Sequence, residues 1–168
     1  LILVGKPGQR EMPLAAAVAR AFRLPLAFDC FASLWVNEVL ERRRVERGSF
    51  TAWKLKQLDR FALRHADVGL VDTVAHGRLI KSALHLSGNG AAPLRRVFVG
   101  AEDAFRPLPR RARGGPLEAL FVGTFIPFHG IDVILHAAAR LRDEKRLRFT
   151  LLGDGQTRPR MEALAAAL

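Results

Sequence analysis

Short apolar runs alternate with helix-like segments along almost the whole chain, and this alternation limits the fold more than any other feature. LILVG (1–5), LPLAFD (24–29), ADVGLVD (66–72), RRVFVG (95–100), LEALFVG (117–123) and LRFTLLG (147–153) read as strands. Most are apolar on both faces, the pattern of buried parallel strands. Helical patterns fall between them, at 12–22, 34–66 with a break near Gly48 and Ser49, 74–87, 131–143 and 157–168. The spacing predicts an α/β fold made of two Rossmann-like parallel-sheet units.

The segment GAEDAFRPLPRRARGGPLEA (100–119) breaks the rhythm. It is rich in proline, glycine and arginine, which suits a linker. A boundary near residue 110 divides the chain into 1–110 and 111–168. The second unit then has only two strands and two helices, and two parallel strands leave apolar edges that cannot close a core. Residue 1 already lies in a strand, and the last helix has no stop signal. The expectation is a middle section of a longer protein, with both units incomplete.

Half of the 168 residues are hydrophobic, which excludes a disordered chain. No apolar run reaches the roughly 20 residues of a spanning helix, and no basic leader precedes an apolar run. The single Cys30 excludes an intrachain disulfide and fits a reducing, cytoplasmic setting. Net charge is +11, from 27 Lys and Arg against 16 Asp and Glu, and such an excess attracts anions in general. It also fits arginine used simply as the default surface charge. Segment 38–66 has eight Lys and Arg against four Asp and Glu. Phe50, Trp53, Leu58 and Phe61 can share a face there. The segment reads either as a core-facing helix with a basic outer side or as a peripheral contact with an anionic membrane surface.

Ligands of open α/β sheets bind beyond the carboxyl ends of the strands. Four such ends carry distinctive residues. VGKPGQ places Gly5 around Lys6, without P-loop spacing. FDCFAS places Asp29 directly after a strand, as a turn former or as a residue facing substrate, and Ser33 as a helix cap or an acceptor-side group. FVGTFIPFHG carries Gly123, Thr124, His129 and Gly130 ahead of a helix start, where amides often meet phosphate. LGDGQT carries Gly153, Asp154 and Gly155, half of a dinucleotide fingerprint with Arg158 where a third glycine would stand. The five histidines show no metal-ligand spacing, and no Gly-x-Ser-x-Gly elbow occurs.

Taken in order, these motifs resemble a nucleotide-sugar glycosyltransferase of the GT-B fold, in the large family four. LDRFALRHADVGLVDTVAHGRLI, VFVGAEDAFRP, FVGTFIPFHGIDVILHAAARL and RFTLLGDGQTRPRMEALA carry the likeness, and VLVGKPGQ-like and FDCFASLW stretches resemble a bacterial subgroup that makes cell-surface polysaccharide. The resemblance implies retaining transfer of a sugar from a nucleotide diphosphate donor to a hydroxyl acceptor, sugar or lipid-linked. It implies no cofactor and no metal. It puts the donor diphosphate at Gly123, Thr124, His129 and Gly130, with Gly153, Asp154 and Gly155 nearby. Gly5, Lys6 and Ser33 fall on the acceptor side, and Asp29 falls where many members have a cleft histidine. Thr124 stands where the family has arginine and His129 where it has lysine, so the phosphate grip has one neutral donor and one that is charged only when protonated.

Two other readings stay open at this stage. A non-catalytic sugar-nucleotide binder would explain Thr124 and His129. A nucleic-acid-binding module would explain the charge, but it calls for arginines clustered with exposed aromatics, and here they are spread over many segments. No specific nucleic-acid partner is expected.

Overall fold

The structure, a computed structural model, describes residues 1–86, 90–106 and 114–168. The chain divides into two compact units, Leu1–Ala104 and Phe105–Leu168. The boundary expected near residue 110 lies outside the described residues.

Unit 1 runs β1 (Ile2–Val4), α1 (Met12–Phe22), β2 (Leu26–Asp29), a wide π-helical turn (Val36–Glu41), α2 (Phe50–His65), β3 (Val68–Val71), α3 (Val74–Ala83) and β4 (Leu94–Arg96). The strands form one parallel sheet in the order β1-β2-β3-β4. Each crossover therefore steps one strand in the same direction. Right-handed crossovers of that kind put their helices on one face of the sheet. The core agrees: Val4, Leu26, Phe28 and Val71 share one face in the register, and they pack with Ala19 of α1, Ala62 and Leu63 of α2, and Ile80 of α3. On the opposite face Leu3 is exposed.

Local chemistry sets the helix ends. Pro13 sits in the first turn of α1, where its missing N–H costs nothing. Ser49 caps α2 by accepting from the Ala52 amide at 3.1 Å, which explains the break at Gly48 and Ser49. Thr73 caps α3 in the same way through the His76 amide, also at 3.1 Å.

Unit 2 runs β5 (Leu117–Val122), a 3₁₀ turn (Pro127–His129), α4 (Ile131–Arg140), β6 (Leu147–Leu152) and α5 (Arg158–Ala167). β5 and β6 pair in parallel, with Leu117 level with Leu147. Phe121 and Leu151 face a small core of Phe125, Ile131 and Met161.

Two expectations need correction. The strand expected over 95–100 is Leu94–Arg96 only, and Val97, Phe98 and Val99 are exposed beyond it. As the outer strand of its sheet, β4 pairs only with β3, which ends at Val71; the Val97 amide donates to Val71 O at 2.8 Å, and the apolar run then continues past the end of that neighbour. The face of α2 proposed from Phe50, Trp53, Leu58 and Phe61 is not its core face: α2 buries Ala52, Asp59, Ala62 and Leu63. Phe50 and Trp53 are exposed and stack on each other at 5.5 Å. Small alanines let α2 approach its neighbours closely; Phe61 packs half-buried against the core, while Phe50 and Trp53 are left outside.

Candidate functional site

The carboxyl ends of β1, β2 and β3 lie side by side, because Val4 is level with Phe28 and Phe28 with Gly69. That register brings Gly5, Lys6 and Asp29 to one edge. The Lys6 ammonium sits 4.5 Å from the Phe31 ring centroid, a cation–π distance. Asp29 is half-buried, and its Oδ1 accepts from the Phe31 amide at 3.1 Å. Its other oxygen has no partner among the described residues.

Ser33 is placed differently. It is buried, its hydroxyl donates to Asp59 Oδ2 at 2.7 Å, and its oxygen accepts from the Val36 amide at 3.0 Å. The side chain is used inside the protein, as the cap of the turn that follows.

Beneath this edge lies a residue that sequence reasoning passed over. The fully buried Asp59 carboxylate of α2 receives four hydrogen bonds. Gln9 Nε2 (3.1 Å) and the Leu34 amide (3.0 Å) donate to Oδ1. Ser33 and the Trp35 amide (2.8 Å) donate to Oδ2. Gln9 Nε2 also donates to the Ala32 carbonyl at 2.8 Å. One carboxylate thus ties the loop after β1 to the loop after β2. Burial pushes Asp59 above the usual carboxylate value, and the bonds from Trp35, Ser33, Leu34 and Gln9 pull it back. The available signal was an aspartate at helical spacing from Ala52, Ala62 and Leu63.

Cys30 beside it is no nucleophile. Its thiol is pushed up to about 12, first by burial and then by the charges of Asp59 and Asp29.

At the end of β3, Asp72 Oδ1 pairs with His76 Nδ1 at 2.6 Å and accepts from the Thr73 amide at 2.7 Å. Burial acts to raise the Asp72 carboxyl, but the bonds from His76 and Thr73 outweigh it and hold the group below its usual value. In the sequence His76 stood out only as one of five histidines without metal-ligand spacing. The structure puts it on the same sheet edge as Lys6 and Asp29.

In unit 2, Gly123 follows β5, and its amide donates to Leu152 O at 3.0 Å. Thr124 is exposed, with no side-chain partner among the described residues. His129 Nδ1 meets Thr124 O at 2.5 Å. The carbonyl can only accept, so Nδ1 carries a hydrogen and Nε2 is the outward nitrogen. Gly130 adopts φ 60° and opens α4, whose first intrahelical bond runs from the Val133 amide to Gly130 O at 3.0 Å. The Ile131 and Asp132 amides precede that bond, at the positive end of the helix dipole. Asp132 in the first turn adds negative charge there.

Gly153, Asp154 and Gly155 lie against this loop. The Phe125 amide donates to Asp154 O at 2.8 Å, and Phe125 O accepts from the Thr157 amide at 2.9 Å. Gly153 has φ 157°, and a Cβ there would stand 1.8 Å from Gly123 O. Gly155 has φ 151°, and its Cβ would meet the Phe125 backbone at 2.7 Å. Both positions need glycine so that the two loops can touch. Arg158 donates to Glu162 at 2.7 Å and lies 3.9 Å from Asp154. With Phe125, Gly153 and Met161 it lines a hollow of about 150 Å³.

Among the described residues, no group of three or more His, Cys, Asp and Glu side chains is placed to hold a metal ion, and no helix is long and apolar enough to cross a membrane. No protein-family model matches the chain, and no curated protein matches it.

Proposed function

We propose that the two units belong to a nucleotide-sugar glycosyltransferase of the GT-B fold, acting in polysaccharide or glycolipid synthesis. The observation that carries this reading is the construction of 121–132: a parallel strand, a glycine loop, a left-handed Gly130 and a helix start, braced by a second glycine loop (153–155). Such a helix start presents amides to an anion such as a diphosphate. Thr124 Oγ1 adds a side-chain donor, and His129 Nε2 adds a second when the imidazole is protonated. The bond from the anomeric carbon to the diphosphate breaks, a new bond forms to an acceptor oxygen, and charge grows on the leaving diphosphate, where these groups stabilise it. The acceptor lies on unit 1, beside Lys6 and Asp29, and the free Asp29 oxygen is available for the acceptor proton. The exposed Phe50–Trp53 stack, with Lys54 5.7 Å from the Phe50 ring, supports a peripheral membrane contact through 38–66. The protein works in the cytoplasm, at the inner membrane face.

One observation favours a binder without catalysis: 123–130 holds no Lys or Arg, and Asp132 opposes an anion. Calorimetry with UDP and GDP at pH 6 and pH 8 tests the donor site that both readings share. The proposal expects saturable binding, tighter at pH 6, with His129→Ala losing more affinity at pH 6 than at pH 8. Equal loss at both pH values removes the charged-imidazole role, and no binding of either nucleotide removes the donor-site reading.

A further inference from the structure

Unit 1 has a polar hollow at the end of its sheet opposite Lys6 and Asp29. It has a volume of about 370 Å³ and lies where α1 and α2 end and β2 and β3 begin. Its floor is apolar and small-residued, with Ala16, Ala19, Leu26 and Ala66. Its rim is basic: Arg20 and Arg23 come from the end of α1, and Arg64 from the last turn of α2.

Basic residues at helix C-termini usually serve the helix itself, by capping carbonyls or offsetting the dipole. Here two carbonyls at the end of α1, those of Ala19 and Arg20, already receive backbone amides. The Leu24 amide donates to Ala19 O at 2.8 Å, and the Arg23 amide to Arg20 O at 3.4 Å. At the end of α2 the Ala66 amide donates to Ala62 O at 3.1 Å. Among the described residues, none of the three guanidinium groups has an ion-pair or hydrogen-bond partner. The one carboxylate at the rim, Asp67, has its Oδ2 engaged by the Leu26 amide at 2.7 Å. His65 is stacked on Phe61 at 3.9 Å, and its Nδ1 is held by Phe61 O at 2.9 Å. Among the described residues, three forked cations without a partner therefore rim a concave, apolar-floored site, against the single carboxylate of Asp67.

We propose that this hollow binds a phosphate group, with Arg20, Arg23 and Arg64 as the ligating side chains. Guanidinium forks match phosphate oxygens in pairs. The alanine floor leaves room for the group that carries the phosphate. The phosphate comes either from a free phosphorylated small molecule or from an anionic lipid headgroup. The site is distinct from the proposed donor loop in unit 2 and lies at the far end of the sheet from Lys6 and Asp29.

The test uses the full chain with two probes: inorganic pyrophosphate, followed by amide NMR at fixed ionic strength, and vesicles of phosphatidylcholine with and without phosphatidylserine. Arg20→Gln/Arg23→Gln/Arg64→Gln is compared with the charge-matched Arg10→Gln/Arg140→Gln/Arg148→Gln, whose side chains are exposed, lie outside 38–66 and have no partner among the described residues. Pyrophosphate shifts at residues 19–26 and 64–67, with affinity reduced at least about tenfold by the first triple and less than about twofold by the second, support a free phosphate ligand. Loss of serine-lipid vesicle binding in the first triple alone supports the headgroup source. Equal loss in both triples means diffuse charge and overturns the site. So does unchanged binding of both probes in the first triple. Pyrophosphate shifts confined to 123–133 would belong to the donor loop and likewise overturn it.

Discussion

Units 1 and 2 are built from the same repeat, a parallel strand followed by a helix, yet they bury very different cores. Unit 1 has two inner strands, each paired on both sides, whereas both strands of unit 2 are edges. Unit 1 fully buries Phe28, Met12, Leu26, Leu63, Ile80 and Leu84, whereas among the described residues of unit 2 the buried hydrophobics are Phe125, Ile126, Ile131 and Met161. Leu120, Val122 and Leu152 share the outer face of the second sheet and are 60%, 65% and 61% exposed. The repeat alone does not make a core; the number of strands and covered faces does. The two carboxyl edges differ as well. A buried carboxylate and side-chain bonds hold the edge of unit 1, while backbone bonds through Phe125 and two glycines hold the edge of unit 2.

This contrast can be broken or sharpened by experiment. The largest expected effect is chemical. The Cys30 thiol is buried and pushed up to about 12, so labelling by a thiol reagent in the folded chain should be slower than in urea by roughly a thousandfold. Its rate reports opening of unit 1, and substitutions in unit 2 should leave it unchanged. Fast labelling of the native chain would contradict the picture of a closed unit 1.

Core substitutions come next. Phe28→Ala should cost about 4 kcal/mol in urea unfolding, because it empties the centre of the larger core. Gly153→Ala should cost about 3 kcal/mol, through the clash with Gly123 O, and the loss should fall on unit 2 signals only. Asp59→Asn should cost about 2 kcal/mol, because an amide NH₂ replaces an oxygen that accepts two bonds. The sign of its pH effect follows from the raised carboxyl. The folded chain holds that proton more tightly than the unfolded chain, so this group's contribution improves as pH falls towards the ordinary 3.8. Asp59→Asn should abolish that gain. The smallest change belongs to Val122→Thr on the outer face, less than about 0.5 kcal/mol. A large loss there would mean that the face is covered in solution.

The strand–helix alternation was legible because it rests on local apolar runs, and all six strands occur where the runs fall, with the fourth shortened. The core face of α2 was not legible, because it is centred on Ala52, Ala62 and Leu63, with Phe61 at its margin and Phe50 and Trp53 outside. Lys6 and Asp29 could be placed on one edge from strand ends alone. Asp59 and His76 could not, because their roles come from partners distant in the chain or from an i,i+4 pair that looked like ordinary helix surface. Gly153 and Gly155 were noticed for a possible ligand, but their backbone geometry answers first to the contact with Gly123 and Phe125.

The central claim is that the loop at 123–130 receives a nucleoside diphosphate. Titrating UDP and, separately, GDP into the chain while following backbone amides by NMR tests it most directly. The account predicts saturable shifts at Gly123, Thr124, His129 to Val133 and Gly153 to Gly155, with the edge of β1, β2 and β3 unmoved. No shift in the loop at millimolar nucleotide, or shifts only in unit 1, would contradict it.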